Sequence, residues 1–396
     1  MGGGNGAPPA VTTTTKPRTS ESRARELLDR AARLALRGHG AVEPNPMVGC
    51  VVLAHDGSIA AVAHHRAIGG AHAEAAALLH AGERARGGTV LVTLEPCDHH
   101  GRTPPCSLAL CHAGVREVVF GESDPNPAAA GGAARLRSAG IDVWQCSTPW
   151  TRWLHAPFAL RVREGRPWVI AKWAQDRTGA TAAGVGADRW ISSLRSRTMV
   201  HRERARVDAI LVGIGTVLAD DPHLLSRTHV AARRRTPIRA VVDPFLDLPL
   251  QSQVVRTVAD GRVTVFTTAR AVRARAEMAE QLRMSGVLLR PLLPEAQGQT
   301  LLRGVSEEGI RICLASLTAD GASTVLCEGG ARLLRALLAA DLVDDAWVFT
   351  SSNALECPAP DPRPIQFPER NAFSLVSSVV RNSDRVEFWR RHRQGT

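Results

Sequence analysis

The amino-acid sequence predicts a protein of the α/β class with two domains. A chain of 396 residues exceeds the usual size of one domain, so we expect two separate hydrophobic cores. Short apolar runs typical of buried strands alternate with stretches of helical periodicity, which favours mainly parallel sheets covered by helices. With 44% apolar and 22% charged residues, the composition excludes disordered and membrane-spanning classes for most of the chain.

The first predicted domain covers residues 20–147. Residues 1–19 are rich in Gly, Pro and Thr, which is typical of a flexible tail. A helix is predicted from Ser20 to Arg37, with Ser20 or Ser22 as its cap. The other predicted elements are strands over Cys50–Ala54, Thr89–Leu94 and Val115–Phe120, and helices over His72–Arg86 and Cys106–Ala113.

The second predicted domain covers residues 166–396, after a linker at 148–165 that carries prolines, arginines and no clean periodicity. Apolar runs predict another set of strands, and no internal repeat is visible, so the two halves are expected to do different jobs. The predicted strands are Trp168–Ala174, Ala209–Gly215, Arg239–Asp243, Val263–Thr268, Thr324–Gly330 and Asp345–Ser351, and the predicted helices are Ser193–Arg206 and Ala331–Ala340.

The net charge and the cysteine content reduce the number of function classes to which the chain could belong. The formal net charge of +11 attracts anions, either phosphorylated small molecules or nucleic acid. Only 8 Trp, 8 Phe and no Tyr are present, which weakens a role in stacking on bases. The 8 cysteines are too sparse for a disulfide scaffold and indicate free thiols, a minority of them held for metal. Without a signal-peptide or membrane-spanning pattern, we expect a soluble cytoplasmic protein.

One histidine and two cysteines carry the pattern of a zinc site. His72 starts a predicted helix, Cys97 follows the strand Thr89–Leu94, and Cys106 opens the next helix. A sulfur at a helix N-terminus is biased toward the thiolate. One imidazole and two thiolates leave the fourth tetrahedral position of zinc open for water. The alternative interpretation is a capping histidine beside two buried core thiols.

Glu74 is the predicted proton carrier beside that metal. It follows His72 by two residues, about 200° round an ideal helix, and is therefore poorly placed as a ligand. Its side chain can still reach a metal-bound water. This arrangement predicts hydrolytic deamination, in which zinc acidifies the water and a carboxylate carries protons to the leaving ammonia.

The motifs His72-Ala73-Glu74, Glu95-Pro96-Cys97 and Cys106 resemble those of the zinc deaminase superfamily. Cytidine and tRNA adenosine deaminases usually place two residues between the cysteines, whereas this chain has eight. Together with the segments Pro44–Cys50 and Asp124–Pro127, that wider gap resembles the bifunctional riboflavin-biosynthesis deaminase-reductases. The likeness runs from about Ser22 to Thr350.

For the first half, this resemblance implies a cytidine-deaminase-like α/β/α sandwich. The implied reaction is deamination of 2,5-diamino-6-(5-phosphoribosylamino)pyrimidin-4-one to the corresponding uracil. By position, Asn45 and His64 match the family's base-binding pair, and Arg102 and Asp124 match its contacts with the phosphoribosyl arm. Asp98 stands where the family usually has serine.

Lys172 is the candidate catalytic residue of the second half. Lys16 is the only other lysine in this arginine-rich chain, and Lys172 lies inside the apolar run Trp168–Ala174, where a solvated charge would be costly. A compact ammonium can shift its pKa and polarise a carbonyl oxygen, a role that arginine fills badly. The alternative interpretation is that Lys172 was retained by chance and has no catalytic role.

The motifs GRPWVIAKWA, GADRWIS, GIGTVLADDP and CEGG follow one another as in the reductase domain of the same family. The resemblance implies a dihydrofolate-reductase-like α/β fold that uses NADPH to reduce the ribosyl group to ribityl. Positions that match cofactor contacts are Ala174, Trp190, Thr216, Asp220, Gly329 and Gly330. Positions that match substrate contacts are Asp188, Arg204, Leu224, Arg227 and Glu328. Arg233, Arg234 and Arg235 are candidates for the 2′-phosphate of NADPH, with a solvated loop as the alternative.

Two departures from the family pattern flank the expected reductase cleft. The family's Ser-Leu-Asp-Gly turn reads Asp176-Arg177-Thr178-Gly179 here, followed by Ala180 in place of arginine, and residues 351–366 replace a Pro-Leu-Gly-type segment. One alternative hypothesis is therefore a deaminase with a diverged or inactive second half that acts on a related pyrimidine. From another class, a basic RNA-binding or RNA-editing protein is also considered. The expected small-molecule partner is a phosphorylated pyrimidine, and no binding to nucleic acid or membrane is expected. The chain is expected to form a homo-oligomer.

Overall fold

Two sheets organise the chain, one of five strands and one of nine. The structure is a computed structural model, and it describes residues 19–101, 104–181, 191–226, 236–292, 306–352, 365 and 372–392. These residues form two compact units. Unit 1 comprises the described residues up to Arg37 and Val48–Leu154, and unit 2 comprises Gly38–Met47 and the described residues from His155 onward.

Unit 1 is built on the sheet order β2-β1-β3-β4-β5. Strand β1 is antiparallel to both neighbours, whereas β3, β4 and β5 are parallel. The strands are β1 (Gly49–Leu53), β2 (Ile59–His64), β3 (Thr89–Leu94), β4 (Glu117–Glu122) and β5 (Asp142–Gln145). The helices are α1 (Glu21–Ala35), α2 (Ala73–Ala81), α3 (Cys106–His112) and α4 (Gly132–Ser138), and α5 (Pro149–Glu164) follows.

Both faces of the five-stranded sheet are buried. Successive side chains of a strand point to opposite faces, so in β1 the side chain of Val52 packs with α2 residues such as Ala77, while Val51 packs with α1 residues such as Leu28. Helix α1 begins where Ser20 caps it, because the Ser20 hydroxyl accepts a hydrogen bond from the Arg23 amide at 3.3 Å. Unit 1 is therefore an α/β/α sandwich, as the sequence predicts.

Unit 2 is built on the sheet order β10-β9-β8-β7-β11-β6-β12-β14-β13. Its strands are β6 (Trp168–Gln175), β7 (Ala209–Gly213), β8 (Ile238–Val242), β9 (Val263–Thr268), β10 (Leu288–Leu292), β11 (Thr324–Cys327), β12 (Asp345–Thr350), β13 (Phe373–Arg381) and β14 (Asp384–Arg391). Its helices are α6 (Leu194–Arg204), α7 (Ile214–Asp220), α8 (Gln253–Arg256), α9 (Ala269–Ala274), α10 (Ala276–Met284), α11 (Glu307–Ala319) and α12 (Ala331–Ala339).

The nine-stranded sheet is parallel from β10 through β12, and only the β12-β14-β13 edge is antiparallel. Strand β11 lies between β7 and β6 although it follows them in the chain, so the sheet is wound in two directions from this point. In open α/β sheets, ligands bind at the carboxyl ends of strands where the winding reverses. The expected site of unit 2 is therefore at the carboxyl ends of β6, β7 and β11.

The segment Gly38–Met47 belongs to unit 2 although its neighbours in the chain belong to unit 1. His39 holds it there, with Nδ1 at 2.9 Å from a Glu43 carboxylate oxygen and Nε2 at 3.6 Å from Glu203. Burial lowers the pKa of His39, but the hydrogen bonds to Glu203 and Glu43 outweigh it and raise that pKa to about 10. The imidazolium is thus a fixed charge that anchors the segment.

The predicted α/β class is confirmed, and most predicted elements are present. Strands β3 and β9 have the predicted limits, and the predicted strand Val115–Phe120 begins two residues later, as β4. Residues of the predicted linker 148–165 form helix α5, within which unit 1 gives way to unit 2. The domain limits and the flexible tail stay predictions, and nearly all of that tail lies outside the described residues. No described helix is long and apolar enough to cross a membrane.

Candidate active sites

The three predicted metal ligands of unit 1 lie together. His72 caps α2, Cys97 follows β3, and Cys106 is the first residue of α3. The His72 Nδ1 atom is 3.5 Å from the Cys97 Sγ and 3.4 Å from the Cys106 Sγ. All three ligand atoms lie within 4.8 Å of one another, and among the described residues this set alone forms a group of metal-ligating side chains. One nitrogen and two sulfurs are a donor set suited to zinc.

Hydrogen bonds prepare one sulfur of this group for a metal. The Cys106 thiol and the His72 ring lower the pKa of Cys97 to about 4, and the Cys106 amide also donates to Cys97 at 3.5 Å. The same hydrogen bond raises the pKa of Cys106, because this thiol keeps the proton that it donates to Cys97, and burial adds to the effect. A divalent cation bound to both sulfurs would replace that proton, and thiolate is the form that binds metal.

Glu74 is buried in the first turn of α2 and only 3% exposed. Burial, followed by the nearby charge of Cys97, raises the pKa of Glu74 to about 7. It is not a member of the ligand group. A carboxyl whose pKa is near neutrality can both accept and return a proton, which is the role that the sequence predicts for it.

Glu95 shapes the loop that presents Cys97. Its carboxylate accepts hydrogen bonds from the amides of Gly131 and Ala133 at 3.3 and 3.1 Å, and from the Asp124 amide at 3.4 Å. Carboxylates that accept amides at the start of a helix are stabilised by the helix dipole. The loop after β3 is thereby tied to the start of α4.

Helix α4 also packs tightly against this loop. A Cβ atom on Gly132 would lie 1.8 Å from the Pro96 carbonyl oxygen, so only glycine fits there. Asp98, which departs from the family's serine, accepts a 2.6 Å hydrogen bond from the Ser107 hydroxyl and forms an ion pair with Arg135 of α4. The departure thus adds a contact between α4 and the cysteine loop.

The predicted substrate residues of unit 1 have different placements. Asp124 lies after β4, where burial raises its pKa and its carboxylate accepts a 2.8 Å hydrogen bond from the Asn126 amide. His64 is the last residue of β2 and half-buried. Asn45 lies in the segment Gly38–Met47 of unit 2, and Arg102 lies outside the described residues.

His65 is a residue that the sequence interpretation missed. Its ring is edge-on to that of His72, with centroids 5.4 Å apart. Its Nδ1 donates to the Ala71 carbonyl at 2.9 Å, and its buried Nε2 has no hydrogen-bond partner among the described residues. Burial lowers the pKa of His65, so the ring is neutral and its Nε2 is an acceptor. The sequence alone could not show which of the adjacent residues His64 and His65 lies next to His72.

In unit 2, Lys172 lies on β6, which pairs with β11 and β12. Its Nζ is 5.4 Å from the centroid of the buried Phe349 ring. Desolvation lowers the pKa of Lys172, and the charge of Glu328 opposes this effect. A cation held between an aromatic ring and a carboxylate is a positioned charge that a solvated lysine would not provide.

Arg204 and Glu328 form a bidentate ion pair next to this lysine. The distances are 2.5 Å from Nε to Oε1 and 2.9 Å from Nη2 to Oε2. Burial disfavours both charges, but the ion pair outweighs it. The pKa of Arg204 is raised and that of Glu328 is lowered, and the positive charge of Lys172 also lowers the pKa of Glu328. The structure thus brings three predicted residues of unit 2 into one cluster.

The predicted cofactor residues lie on neighbouring strand ends. Ala174 is on β6, Thr216 and Asp220 are in α7, and Gly329 and Gly330 join β11 to α12. A Cβ atom on Gly330 would lie 3.5 Å from the Thr216 hydroxyl, so the starts of α7 and α12 are adjacent. The α12 start leaves backbone amides available to a phosphate.

The turn after β6, which departs from the family pattern, is stabilised by hydrogen bonds within the turn. The buried Asp176 carboxylate accepts hydrogen bonds from the Thr178 amide and hydroxyl at 2.8 and 2.7 Å and from the Ala180 amide at 2.9 Å. Gly179 has a φ of +90°, which glycine adopts without strain. The departure from the family pattern therefore leaves an ordered turn.

Several predicted residues lie outside the described part of the chain. They are Asp188, Trp190, Arg227 and the cluster Arg233, Arg234 and Arg235, together with most of the departing segment 351–366. Their roles stay predictions.

Arg239 is a second residue that the sequence interpretation missed. It lies on β8 with no exposed surface. Its Nη atoms donate to the Thr257 hydroxyl and carbonyl, both at 2.7 Å, to the Gly261 carbonyl, and to the His223 carbonyl at 3.3 Å. The residue after His223, the predicted substrate contact Leu224, is buried with a φ of +52°. Arg239 therefore supports the backbone turn at His223 and Leu224, where the positive φ of Leu224 is strained.

We predict that Arg239→Met lowers the free energy of unfolding of unit 2 by about 2–4 kcal/mol, because several buried carbonyl oxygens lose their donor. Chemical denaturation followed by tryptophan emission measures this change. Arg256→Met is the control, since Arg256 is exposed on α8 and should change stability by less than about 0.5 kcal/mol. Equal stability of the two variants would show that Arg239 is not a structural support.

Comparison with known proteins covers both units. The family model for the cytidine and deoxycytidylate deaminase zinc-binding region matches residues 21–122, and that for the RibD C-terminal domain matches residues 167–355. The chain is 37% identical over 322 residues to the riboflavin biosynthesis protein RibD of Aquifex aeolicus, covering 81% of this chain and 84% of that protein. Against RibD of Escherichia coli (strain K12), identity is 38% over 338 residues, with 82% and 87% covered.

Solved structures agree with these relatives. A structure of Acinetobacter baumannii RibD matches with a TM-score of 0.77 at 30% identity, covering 94% of this chain and 100% of that chain. A diaminohydroxyphosphoribosylaminopyrimidine deaminase/5-amino-6-(5-phosphoribosylamino)uracil reductase from Thermotoga maritima matches with a TM-score of 0.76 at 30% identity, covering 94% and 99%. No comparison favours an RNA-binding protein or an inactive second half. The chain therefore belongs to the RibD family of riboflavin biosynthesis proteins, which combine a deaminase and a reductase.

Proposed function

We propose that unit 1 deaminates 2,5-diamino-6-(5-phosphoribosylamino)pyrimidin-4-one and that unit 2 then reduces the ribosyl group of the product to ribityl. The observation that carries the first step is the buried Glu74 carboxyl, with a pKa of about 7, beside the ligand set of His72, Cys97 and Cys106. The observation that supports the second step is the cluster of Lys172, Arg204 and Glu328 at the strand ends of unit 2.

Zinc is the proposed resident metal of unit 1, held by His72, Cys97 and Cys106. When bound, it supplies an acidified water molecule for attack on the amidine-like carbon. Glu74 would carry a proton from the attacking water to the leaving amine nitrogen, because its carboxyl is buried and does not belong to the ligand set. The raised pKa of Glu74 suits both halves of this transfer.

His65 is proposed to contact the pyrimidine base. Its Nε2 is a buried acceptor without a partner among the described residues, and an unpaired buried acceptor is costly unless a ligand donates to it. Ring N–H and exocyclic amino groups of the base are suitable donors. The family position of His64 stays the alternative for this role, and Asn45, Arg102 and Asp124 are the other proposed substrate contacts of the deaminase.

In unit 2, NADPH is the proposed reductant and, when bound, supplies a hydride to the sugar carbon. Lys172 is proposed to stabilise the negative charge that develops on the ring oxygen of the ribose when the bond from this oxygen to C1′ breaks and the hydride adds to C1′. Glu328 holds the ammonium in place through its charge, and Arg204 keeps that carboxylate ionised. Asp188, Leu224 and Arg227 are the further proposed substrate contacts.

Cofactor binding is proposed at the adjoining strand ends. The Gly329-Gly330 turn before α12 offers backbone amides to the pyrophosphate of NADPH. Thr216 lies beside that turn, and Ala174 and Asp220 come from the neighbouring elements β6 and α7. Trp190 is the remaining proposed contact.

The proposed binding partners are phosphorylated pyrimidines, and neither nucleic acid nor membrane is among them. The protein is proposed to be a cytoplasmic homo-oligomer. The edge strand β13 supports an oligomer, because Leu375, Val376 and Val380 are 47%, 55% and 68% exposed. An exposed apolar strand at the edge of a sheet is a site at which a second chain can pair.

We predict that Glu74→Gln keeps its zinc but loses deamination by about 10²–10⁴-fold, because an amide cannot carry the proton. Cys97→Ser is the matched variant that should lose zinc as well as deamination. Metal analysis and deaminase turnover measure the two effects, and reductase turnover reports that unit 2 remains folded. Deamination near the wild-type rate by Glu74→Gln would contradict the proton-carrier role, and full zinc occupancy in Cys97→Ser would contradict the ligand set.

Lys172→Met should lower the reductase kcat by about 10²–10³-fold, because the developing alkoxide loses its positive partner. NADPH affinity should change little, since Lys172 acts on the substrate oxygen. NADPH absorbance, followed with the deaminated substrate supplied directly, measures kcat, and deaminase turnover is the internal control. Equal oxidation by wild type and Lys172→Met would show that Lys172 is structural.

A further inference from the structure

Unit 2 contains a cavity lined by arginines on helix α6 and strand β13. Its volume is about 400 Å³ and its lining residues are Arg195, Thr198, Met199, Arg202 and Arg381. This volume is within the range of small-molecule sites. The four lining residues of α6 recur at i, i+3, i+4 and i+7, so they form one face of the helix.

This face is not the one that serves the reductase cleft. Arg204, which pairs with Glu328, follows Arg202 by two residues, about 200° round the helix. The cavity is therefore distinct from the proposed ribosyl-reducing site, although the same helix reaches both.

The three arginines of the cavity have no acidic partner in the described part of the chain. No described carboxylate lies within ion-pair distance of Arg195, Arg202 or Arg381. The one hydrogen bond that these guanidinium groups form with described residues is from Arg381 to the Val380 carbonyl at 3.3 Å. All three residues are exposed, so their charges are available to a ligand. Three like charges around one cavity repel one another and attract an anion.

The first turn of α6 brings further positive charge close to the cavity. It contains no acidic residue and carries Arg195 and Arg197. The helix N-terminus itself is already paired with the Asp384 carboxylate. The arginine side chains, and not the helix N-terminus, therefore supply the positive charge of the cavity.

The cavity walls are fixed relative to each other by hydrogen bonds. The buried Asp384 carboxylate accepts from the Ser193 amide at 2.7 Å and from the Ser196 hydroxyl at 2.6 Å. The Ser193 hydroxyl donates to the Arg381 carbonyl at 3.3 Å. The Asp384 carboxylate is thus already hydrogen-bonded to the start of α6. These bonds fix the β13-β14 turn, which carries Arg381, against the start of the helix.

From these observations we propose that the cavity binds a diphosphate group, either inorganic or carried by a small organic molecule. Guanidinium groups match the oxygens of phosphates with paired hydrogen bonds. Two guanidinium groups on one helix face and a third from the facing turn can contact both phosphates. Met199 and Thr198 between them provide a surface for a small organic part.

Isothermal titration with inorganic pyrophosphate, and separately with ADP, tests this proposal in the absence of NADPH, which itself carries a diphosphate. The variant is Arg195→Gln/Arg202→Gln, and the matched control is Arg256→Gln/Arg273→Gln, which removes the same charge from two exposed positions elsewhere in unit 2. Wild type and control should bind one more equivalent of ligand than the variant, or bind it at least about tenfold more tightly. Tighter binding of ADP than of pyrophosphate identifies the organic source, and the reverse order identifies the inorganic one.

Equal stoichiometry and affinity in the variant and the control would overturn the proposal. An equal loss in both would also overturn it, because general charge and not the cavity would then explain binding. Unchanged reductase turnover without added pyrophosphate shows that the variant is folded. Since neither arginine belongs to the proposed catalytic residues, failure here leaves the proposed function untouched.

Discussion

Burial of one ionisable group in each unit is the constraint on which the rest of the molecule depends. Glu74 has its pKa raised and Lys172 has its pKa lowered, in both cases chiefly because water is excluded. Each shift brings the pKa closer to neutrality, which suits a group that is proposed to exchange a proton with water or substrate. The fold supplies the surroundings that make such burial tolerable: a thiol and imidazole cluster beside Glu74, and the Arg204–Glu328 pair beside Lys172.

Both sites lie at the carboxyl ends of parallel strands, β3 in unit 1 and β6, β7 and β11 in unit 2. In unit 1 the end of β3 carries the Glu95-Pro96-Cys97 loop, and helix starts supply His72 and Cys106. In unit 2 the winding reverses at β11, between β7 and β6, and the ends of these strands carry the candidate residues. Two unrelated chemistries thus use the same architectural rule, that parallel strands direct their chemistry to their carboxyl ends.

The sequence could predict the α/β class, the grouping of His72, Cys97 and Cys106 and most central strands, because these depend on local patterns. Buried strands such as Thr89–Leu94 are continuous apolar runs, and a metal set shows itself as His and Cys at element boundaries. Strands β13 and β14 were not predicted, since β13 is largely exposed and serines interrupt its apolar residues. Helix α5 was missed because prolines and arginines obscured its periodicity.

Residues that act through tertiary contacts left no local signal. His65 and His64 are indistinguishable in the sequence, and only the fold shows which ring lies against His72. Arg239 reads as an interruption of an apolar strand, yet its donors meet carbonyl groups far along the chain. The link from His39 to Glu203 spans elements that sequence patterns cannot pair.

Incubation of the purified protein with the diaminopyrimidine ribosyl phosphate, with and without NADPH, followed by mass spectrometry, tests both proposed activities at once. We expect a product with one amine replaced by a carbonyl oxygen in both incubations. With NADPH, we expect conversion of that product into a species carrying two further hydrogens. Unchanged substrate in both incubations, or deamination with no NADPH-dependent second product, would contradict the proposed function.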